Sequence, residues 1–287
     1  MTEVLNLQDL RGLIGIDAET IYVKGHTTSS DGGGGIFMWK NEPNIINPVF
    51  TGTGIYSQDN NGTIVKATSN DTGRWIRQYN GYINVLFFGA FGFGNNYTIE
   101  IQNAINFASL NTRYNPIFKG STVFIPNGSY RVLNIILKNG ITITGESIHT
   151  TYIYSLPGND GQYLFEIEEG PVSLNIMNLN LVGENSGRGC FWFKSKPNIP
   201  DLIDPIAHGG LWDSRISNIR IVGFKGHGIY LEGGGDGSNY MLPHQFNIFE
   251  NVRIFKNSDN SNALKMTGQN GQITFLNCEF DGFIKNN

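Results

Sequence analysis

The chain has 287 residues and a net charge of −4, with 37 glycines and only 15% charged residues. So many glycines and so few charges argue against a helical protein and favour an all-β fold with many tight turns. The negative net charge gives no electrostatic basis for binding nucleic acid. No apolar run is long enough to span a membrane, and no basic segment followed by an apolar stretch marks a secretion signal at the start.

The first 80 residues predict a small β domain. Residues 1–20 are weakly patterned, with room for one short helix. Apolar runs separated by polar turns then predict four strands, at 21–26, 36–39, 62–66 and 73–79. Four glycines at 32–35 lack the Lys-Ser or Lys-Thr of a phosphate cradle at a helix start, so we interpret them as a turn.

The next region changes its hydrophobic period several times. The apolar run 84–92 predicts a strand, and 98–108 predicts a short amphipathic helix with Thr98 as its N-cap. The period then changes from helical to two, and Pro-Asn-Gly at 126–128 marks a turn between two strands. A further strand is predicted at 141–146.

From residue 174 onward the sequence repeats. Each of four segments begins with an asparagine followed by alternating apolar residues, and these are Asn178, Asn218, Asn251 and Asn277. Their unequal spacing is typical of a β-helix whose coils keep their strands and vary their loops. Stacked coils lie about 4.8 Å apart, so we expect the four side chains to form an internal, structural hydrogen-bonded ladder.

A second strand follows the first in these repeats, at 191–194, 229–232 and 264–267. If the apolar residues at alternate positions fill the core, two columns of side chains face outward. The first column contains Trp192, Tyr230 and Lys265, and the second contains Lys194, Glu232 and Thr267.

Two groups of motifs in consecutive order carry a resemblance to a known family. The first is Gly-Gly-Gly-Gly-x-Phe-x-Trp at 32–39, followed by Asp-Asn-Asn-Gly-Thr-x-Val and Gly-Arg-Trp-x-Arg-x-Tyr. The second is Phe-Gly-Ala-Phe-Gly at 88–92, followed by Gly-Ser-Thr-Val-Phe-Ile-Pro-Asn-Gly-Ser-Tyr at 120–130 and Ile-Thr-Gly-Glu at 143–146. Together they resemble the opening of the pectate-lyase-like right-handed parallel β-helix of bacteriophage tailspikes and capsule depolymerases.

The resemblance covers residues 21–147, near half of the chain. It departs from the family at the start of the helix, where acidic residues are expected. Here those positions are occupied by Phe93, Asn95, Asn96 and Tyr97. Because the replaced residues would act as turn and cap, the departure bears on structure and not on catalysis.

The resemblance implies an all-β fold in two parts. Residues 1–82 would form a small N-terminal β domain for virion attachment, and residues 83–287 a right-handed single-stranded parallel β-helix with one short capping helix. The C-terminal end of the β-helix is expected to be truncated or capped by a partner, because an open stacked edge invites pairing.

The resemblance also implies a function and partners. It indicates a phage tailspike that is synthesised in the host cytoplasm, becomes part of the virion tail, forms a homotrimer and contacts other phage tail proteins. Such a protein would bind and depolymerise bacterial capsule, exopolysaccharide or lipopolysaccharide. A non-cleaving adhesin or structural spike is the first alternative. A bacterial polysaccharide lyase or glycoside hydrolase is the second, which the missing secretion signal opposes.

The outward aromatic column is the candidate glycan contact. Aromatic faces pack against sugar C–H groups while flanking polar groups take the hydroxyls, which selects Trp192, Tyr230 and Lys194. We add Trp212 and Asp213, which follow a long insertion in the same repeat. The same column could instead be a trimer interface, since interfaces are also rich in Trp and Tyr.

Glycoside hydrolysis requires a pair of carboxylates, for which we select Glu232 and Asp236 across a run of glycines. The alternative is a solvated loop without catalytic function. A lyase would need a base and a cation for a uronate carboxylate, for which Arg220 and Arg253 are suitably stacked.

No cofactor or metal is expected. Cys190 and Cys278 form no metal-type cluster and are interpreted as free thiols rather than a disulfide. The five histidines lack the i, i+4 spacing of a zinc protease.

Overall fold

The computed structural model describes residues 1–41, 59–69, 73–109, 122–156, 162–167, 173–184, 189–195, 210–235, 241–255, 262–281 and 283–286. These residues form a small N-terminal sheet followed by a right-handed parallel β-helix, as the sequence predicted. Within the described ranges, none of the helices is long and apolar enough to cross a membrane.

The N-terminal domain is a five-stranded sheet in the order β1-β2-β3-β5-β4. Its elements are β1 (Thr2–Val4), α1 (Leu7–Arg11), β2 (Thr20–Val23), β3 (Gly35–Asn41), β4 (Ile64–Lys66) and β5 (Gly73–Gln78). The four predicted strands and the short helix are confirmed, and β1 adds a parallel strand that was not predicted. The core of the domain centres on Trp39 and Trp75, whose rings meet edge to face at 5.1 Å.

The glycine run forms a turn, as predicted, and its carbonyl groups accept hydrogen bonds from the positively charged side chain of Arg77. Arg77 is buried, and its two terminal nitrogens donate to the carbonyl oxygens of Gly33 and Gly34 at 2.7 Å each. The side chain of Asp31 accepts hydrogen bonds from four backbone N–H groups of the same loop. The loop therefore presents its carbonyls to the domain interior and its N–H groups to its own aspartate.

The transition to the β-helix differs from the predicted strand at 84–92. A short strand β6 (Ile83–Asn84) is followed by a 3-10 helix at Val85–Phe88. The side chain of Asn84 accepts the N–H of Leu86 at 3.0 Å, and Gly89 ends the helix with a φ of 95°. A local polar cap and a left-handed glycine thus override the strand signal of the apolar run. The next strand is β7 (Phe93–Asn96).

The helix α2 (Thr98–Ser109) covers the first coil of the β-helix. It buries the predicted face, which consists of Ile101, Ala104, Ile105 and Ala108. The predicted N-cap is wrong, because Asn96 accepts the N–H of Thr98 while the Thr98 hydroxyl accepts the N–H of Leu133. Two hydrogen bonds between Gln102 and the backbone of Ile136 dock the helix on the coil.

Parallel strands in register form three faces of the β-helix. The first face contains β6, β8 (Thr122–Ile125), β11 (Thr142–Gly145) and β22 (Ile273–Leu276), and the second contains β7, β9 (Gly128–Val132), β12 (Thr151–Ser155) and β23 (Glu279–Phe280). Three long strands bend and serve both faces: β14 (Asn175–Val182), β16 (Arg215–Val222) and β20 (Asn247–Phe255). The third face contains β10 (Ile135–Leu137), β13 (Tyr163–Ile167), β15 (Gly189–Lys194), β17 (Ile229–Glu232), β21 (Asn262–Thr267) and β24 (Phe283–Asn286). A small hairpin, β18 (Gly234–Gly235) and β19 (Met241–Leu242), follows β17.

The asparagine ladder exists, but it lies on the surface and not inside. Asn218 donates to Asn178 at 3.3 Å and Asn251 donates to Asn218 at 3.2 Å. Each of these residues, and Asn277, adopts a left-handed φ between 51° and 61°. This conformation bends the strand and shifts its alternation by one residue, so that in β14, β16 and β20 the asparagine side chain faces outward and the residue after it is buried.

The core of the β-helix is a continuous apolar stack. Phe165, Phe191 and Phe193 lie with their rings stacked at 5.2 and 5.5 Å. Both cysteines are free, as predicted, and burial raises the pKa of Cys190 well above its usual value. At the last coil Phe275 stacks on the buried Phe249 at 5.1 Å but is itself partly exposed.

Candidate functional site

The candidate site lies on the outer surface of the third face. Trp192 of β15 is in register with Tyr230 of β17, and Lys194 with Glu232. The next coil continues both columns with Lys265 and Thr267, as the alternation predicted. The rings of Trp192 and Tyr230 lie parallel, with 6.2 Å between their centres and 2° between their planes.

Trp192 and Tyr230 differ in accessibility. Trp192 is half-buried, whereas Tyr230 is only 8% exposed. The tyrosine is covered by the ammonium of Lys265, 4.2 Å from its ring centre, and by the ring of His227 at 5.3 Å. Its hydroxyl lies 3.1 Å from that of Thr267. Tyr230 therefore packs against the ring of Trp192 and has little accessible surface with which to contact a ligand.

Glu232 is held beside the tryptophan. The indole N–H of Trp192 donates to one oxygen of Glu232 at 2.8 Å, and the ammonium of Lys194 lies 3.8 Å from the other oxygen. The same ammonium lies 5.0 Å from the centre of the Trp192 ring. The site thus combines an aromatic surface, a cation and a carboxylate within one coil step, which suits a ligand with both C–H faces and hydroxyl groups.

The other predicted site residues lie elsewhere or outside the described residues. Asp236, the predicted partner of Glu232, belongs to the segment 236–240 and lies outside the residues that the structure describes. Trp212 is half-buried and packs edge-on against Phe246 at 5.9 Å, at the entry to β16. Asp213 beside it is exposed, and its N–H donates to the carbonyl of Gln245.

Sequence reasoning missed the preceding strand of the third face. Tyr163 of β13 packs against Trp192 with 5.3 Å between ring centres, and Glu166 is in register with Trp192. One oxygen of Glu166 accepts the N–H of Tyr163 at 3.0 Å. The alternation of Tyr163, Phe165 and Ile167 was a usable signal, because it repeats the pattern of β15.

A buried histidine that the sequence did not single out lies behind the site. The imidazole of His244 is fully buried, and its Nδ1 accepts the N–H of Leu211 at 2.8 Å. Burial lowers the pKa of His244 to about 4, although the nearby backbone carbonyls of Glu232 and Phe193 favour the protonated form. Protonating this side chain places a charge in the interior next to the strand that carries Glu232.

Acidification is therefore expected to destabilise the protein. The pKa of His244 is about 4 when folded, against 6.5 for an ordinary histidine, so its contribution is present above pH 6.5 and is lost as the pH falls towards 4. The free energy of unfolding should fall by about 3 kcal/mol as His244 becomes protonated. Burial also lowers the pKa of His26, so its protonation destabilises the fold in the same direction. Thermal unfolding between pH 7 and 4.5 measures the effect. His244→Gln should flatten the pH dependence and the exposed His149→Gln should not; equal slopes in the two variants would contradict the assignment.

Part of the chain matches a described protein family. Residues 3–80 match the model of the phage tail protein small four-stranded beta-sheet domain, a range that contains β2 to β5 and part of β1. No curated protein sequence matches the chain.

Solved structures of phage tailspikes share the fold. A tailspike from Acinetobacter baumannii bacteriophage Fri1, described as a capsular polysaccharide depolymerase, is 16% identical with a TM-score of 0.70, covering 97% of this chain and 46% of that one. Tailspike protein 2 from an Escherichia coli O157:H7 bacteriophage is 20% identical with a TM-score of 0.64, covering 97% of this chain and 35% of that one. Both likenesses concern the fold, and this chain spans less than half the length of either structure.

A bacterial protein shows the same architecture. Pantoea stewartii WceF, described as a glycan biofilm modifying enzyme with a bacteriophage tailspike-like parallel β-helix fold, is 15% identical with a TM-score of 0.54. The likeness covers 99% of this chain and 49% of that one. The β-helix that follows the N-terminal sheet thus has a fold that phage and bacterial proteins share.

Proposed function

We propose that this chain, which joins a phage-tail β domain to a tailspike-like β-helix, belongs to a phage tailspike that binds and depolymerises bacterial surface polysaccharide. The observation that carries the proposal is the arrangement of Trp192, Lys194 and Glu232 on the third face. The descriptions of its structural neighbours, among them a capsular polysaccharide depolymerase, support the same reading.

Glycan binding would use the accessible side chains of this face. The Trp192 ring would pack against the C–H face of a sugar, while Lys194 donates to hydroxyl groups and Glu232 accepts from them. Trp212 and Asp213 would extend the contact along the same polymer beyond β15. Capsule, exopolysaccharide and lipopolysaccharide all present the hydroxyl-rich surface that such a site requires.

Cleavage would be carried out by Glu232 with Asp236 as its partner carboxylate. In glycosidases one carboxyl group protonates the leaving oxygen and the other activates water or attacks the sugar. The hydrogen bond from Trp192 fixes the orientation of Glu232, which a positioned catalytic base or nucleophile needs. Two alternatives remain distinct from this one: a non-cleaving adhesin or structural spike, and a bacterial polysaccharide lyase or glycoside hydrolase.

Glu232→Gln is expected to lower the rate of polysaccharide cleavage by about 100-fold or more, because it removes the ionisable group. Affinity should change little, since the glutamine oxygen can still accept the indole N–H of Trp192. Mass spectrometry of released oligosaccharides measures the rate, and products lacking the mass of water would identify a lyase. Glu250→Gln, which alters a carboxylate paired with Arg215, is the matched control. Undiminished cleavage by Glu232→Gln would remove Glu232 from the mechanism.

The proposed assembly is a homotrimer in the virion tail, synthesised in the host cytoplasm. The N-terminal domain, residues 1–82, would contact other phage tail proteins, and the β-helix, residues 83–287, would reach the bacterial surface. We also propose that further coils or a partner cover the last coil, where Phe275 is partly exposed. Covering Phe275 would remove its apolar surface from water and so stabilise the last coil.

A further inference from the structure

The second face of the β-helix carries two arginines in direct register. Arg220 of β16 pairs with Arg253 of β20, on neighbouring strands about 4.8 Å apart, and both side chains are exposed. Like charges directly opposite each other on a sheet are destabilising. The fold alone therefore gives no reason to place these two charges together.

Other arginines on the surface of the β-helix are neutralised by carboxylates. Arg131 forms a two-pronged ion pair with Glu184, with 2.8 Å for one of the hydrogen bonds. Arg215, on the first face, pairs with Glu250. In both pairs a neighbouring carboxylate neutralises the positive charge of the arginine.

Arg220 and Arg253 are compensated poorly. Arg253 lies 3.9 Å from Glu279, and both side chains are 62% exposed, so solvent screens the attraction. Among the residues that the structure describes, Arg220 has no carboxylate partner, and its guanidinium lies 5.1 Å from the centre of the Phe255 ring. The two side chains thus present an excess of positive charge to solvent.

A polar groove runs beside these charges. It is open, has a volume of about 380 Å³, and Arg253 forms part of its wall together with Asn178, Asn218 and Asn251. Each asparagine Nδ2 uses one N–H in the ladder, which leaves a second N–H on every coil. The remaining walls include Ser147, exposed His149 and exposed Glu146.

We propose that this groove binds an acidic polysaccharide, with sugar carboxylates on Arg220 and Arg253 and hydroxyl groups on the asparagine ladder. The guanidinium fork matches a carboxylate in two-pronged geometry. A ladder that repeats once per coil suits a linear polymer of repeating units along the β-helix axis. This inference rests on the proposed function and specifies its substrate class as acidic glycan, on a surface separate from Trp192.

A second copy of the chain is the less suitable occupant. The fully buried cores of protein interfaces are more apolar than the rest of the protein surface. Here the groove and the adjoining arginines consist mainly of amide, hydroxyl and charged groups, with Phe255 as the aromatic contribution. Charge complementarity therefore favours an anionic glycan.

The test compares uronate oligosaccharides with their neutral methyl esters. Galacturonate, mannuronate and guluronate hexamers, each in both forms, would be titrated into the full chain by calorimetry at low and physiological salt. We expect at least one acid to bind roughly tenfold or more tightly than its ester, and Arg220→Gln/Arg253→Gln to remove that preference. Arg215→Gln is the matched control and should retain it.

The double variant also has a stability readout. Removing two like charges in register should leave the melting temperature unchanged or raise it. Acids and esters that bind alike, or do not bind, would overturn this inference, as would an unchanged preference in the double variant. So would a double variant whose oligomeric mass, rather than its glycan affinity, changes. The proposed function fails separately, if bacterial surface polysaccharides of any charge do not bind.

Discussion

Arg77→Ala is expected to lower the free energy of unfolding by about 3–5 kcal/mol. In the folded protein the guanidinium donates to three backbone carbonyls, those of Gly33 and Gly34 at 2.7 Å and that of Gly62 at 3.0 Å. Its removal leaves these buried acceptors without their donor, and each unsatisfied acceptor costs about 1–3 kcal/mol. Denaturant unfolding followed by tryptophan fluorescence measures the change.

Arg77 also packs between two aromatic rings. Its guanidinium lies 4.5 Å from the Phe37 ring centre in the N-terminal sheet and 4.4 Å from that of Phe87 at the start of the β-helix. The alanine variant therefore opens a cavity where the two regions meet. Arg74→Ala, on the same strand, is the control and should change stability by less than about 1 kcal/mol. An effect of Arg77→Ala no larger than that of the control would contradict this role.

Trp192→Ala is expected to weaken glycan binding by about 30-fold or more, the effect of losing an aromatic anchor worth at least ~2 kcal/mol. The variant removes both the sugar-facing ring and the N–H that orients Glu232. Trp192→Phe retains an aromatic ring without the N–H, so its glycan affinity should lie between those of the wild-type protein and Trp192→Ala. Titration of the bound polysaccharide into each variant gives the affinities.

The control for Trp192→Ala is Tyr22→Ala, which removes an aromatic side chain that is 39% exposed on the N-terminal sheet. It should leave glycan affinity unchanged. If Trp192→Ala changes the oligomeric mass in solution and leaves affinity intact, the column is a subunit interface and the glycan assignment is wrong.

The parts of the fold governed by alternation could be predicted from the sequence. The two outward columns of the third face follow from period-two patterns in β15, β17 and β21, and their register is as expected. The phase of the first strand could not be predicted in the same way. A left-handed residue such as Asn218 shifts the alternation by one position, so a strict period of two places its side chain on the wrong side of the strand.

The burial of a side chain by contacts outside its own alternating pattern could not be predicted from the sequence either. Tyr230 alternates as an outward residue, yet Lys265 covers it from β21 and His227 covers it from the segment just before β17. The apolar run at 84–92 predicts a strand, but a single local hydrogen bond from the N–H of Leu86 to Asn84 caps a short helix there instead. In each case a contact outside the periodic pattern decides the structure.

We propose that the chain engages bacterial surface polysaccharide through its third face. The most direct measurement is binding of the purified protein to capsules, exopolysaccharides and lipopolysaccharides from a host panel, with Trp192→Ala in parallel. We predict saturable binding to the polysaccharide of at least one host and its loss in the variant. Failure to bind any of the panel, or binding that Trp192→Ala leaves unchanged, would contradict the claim.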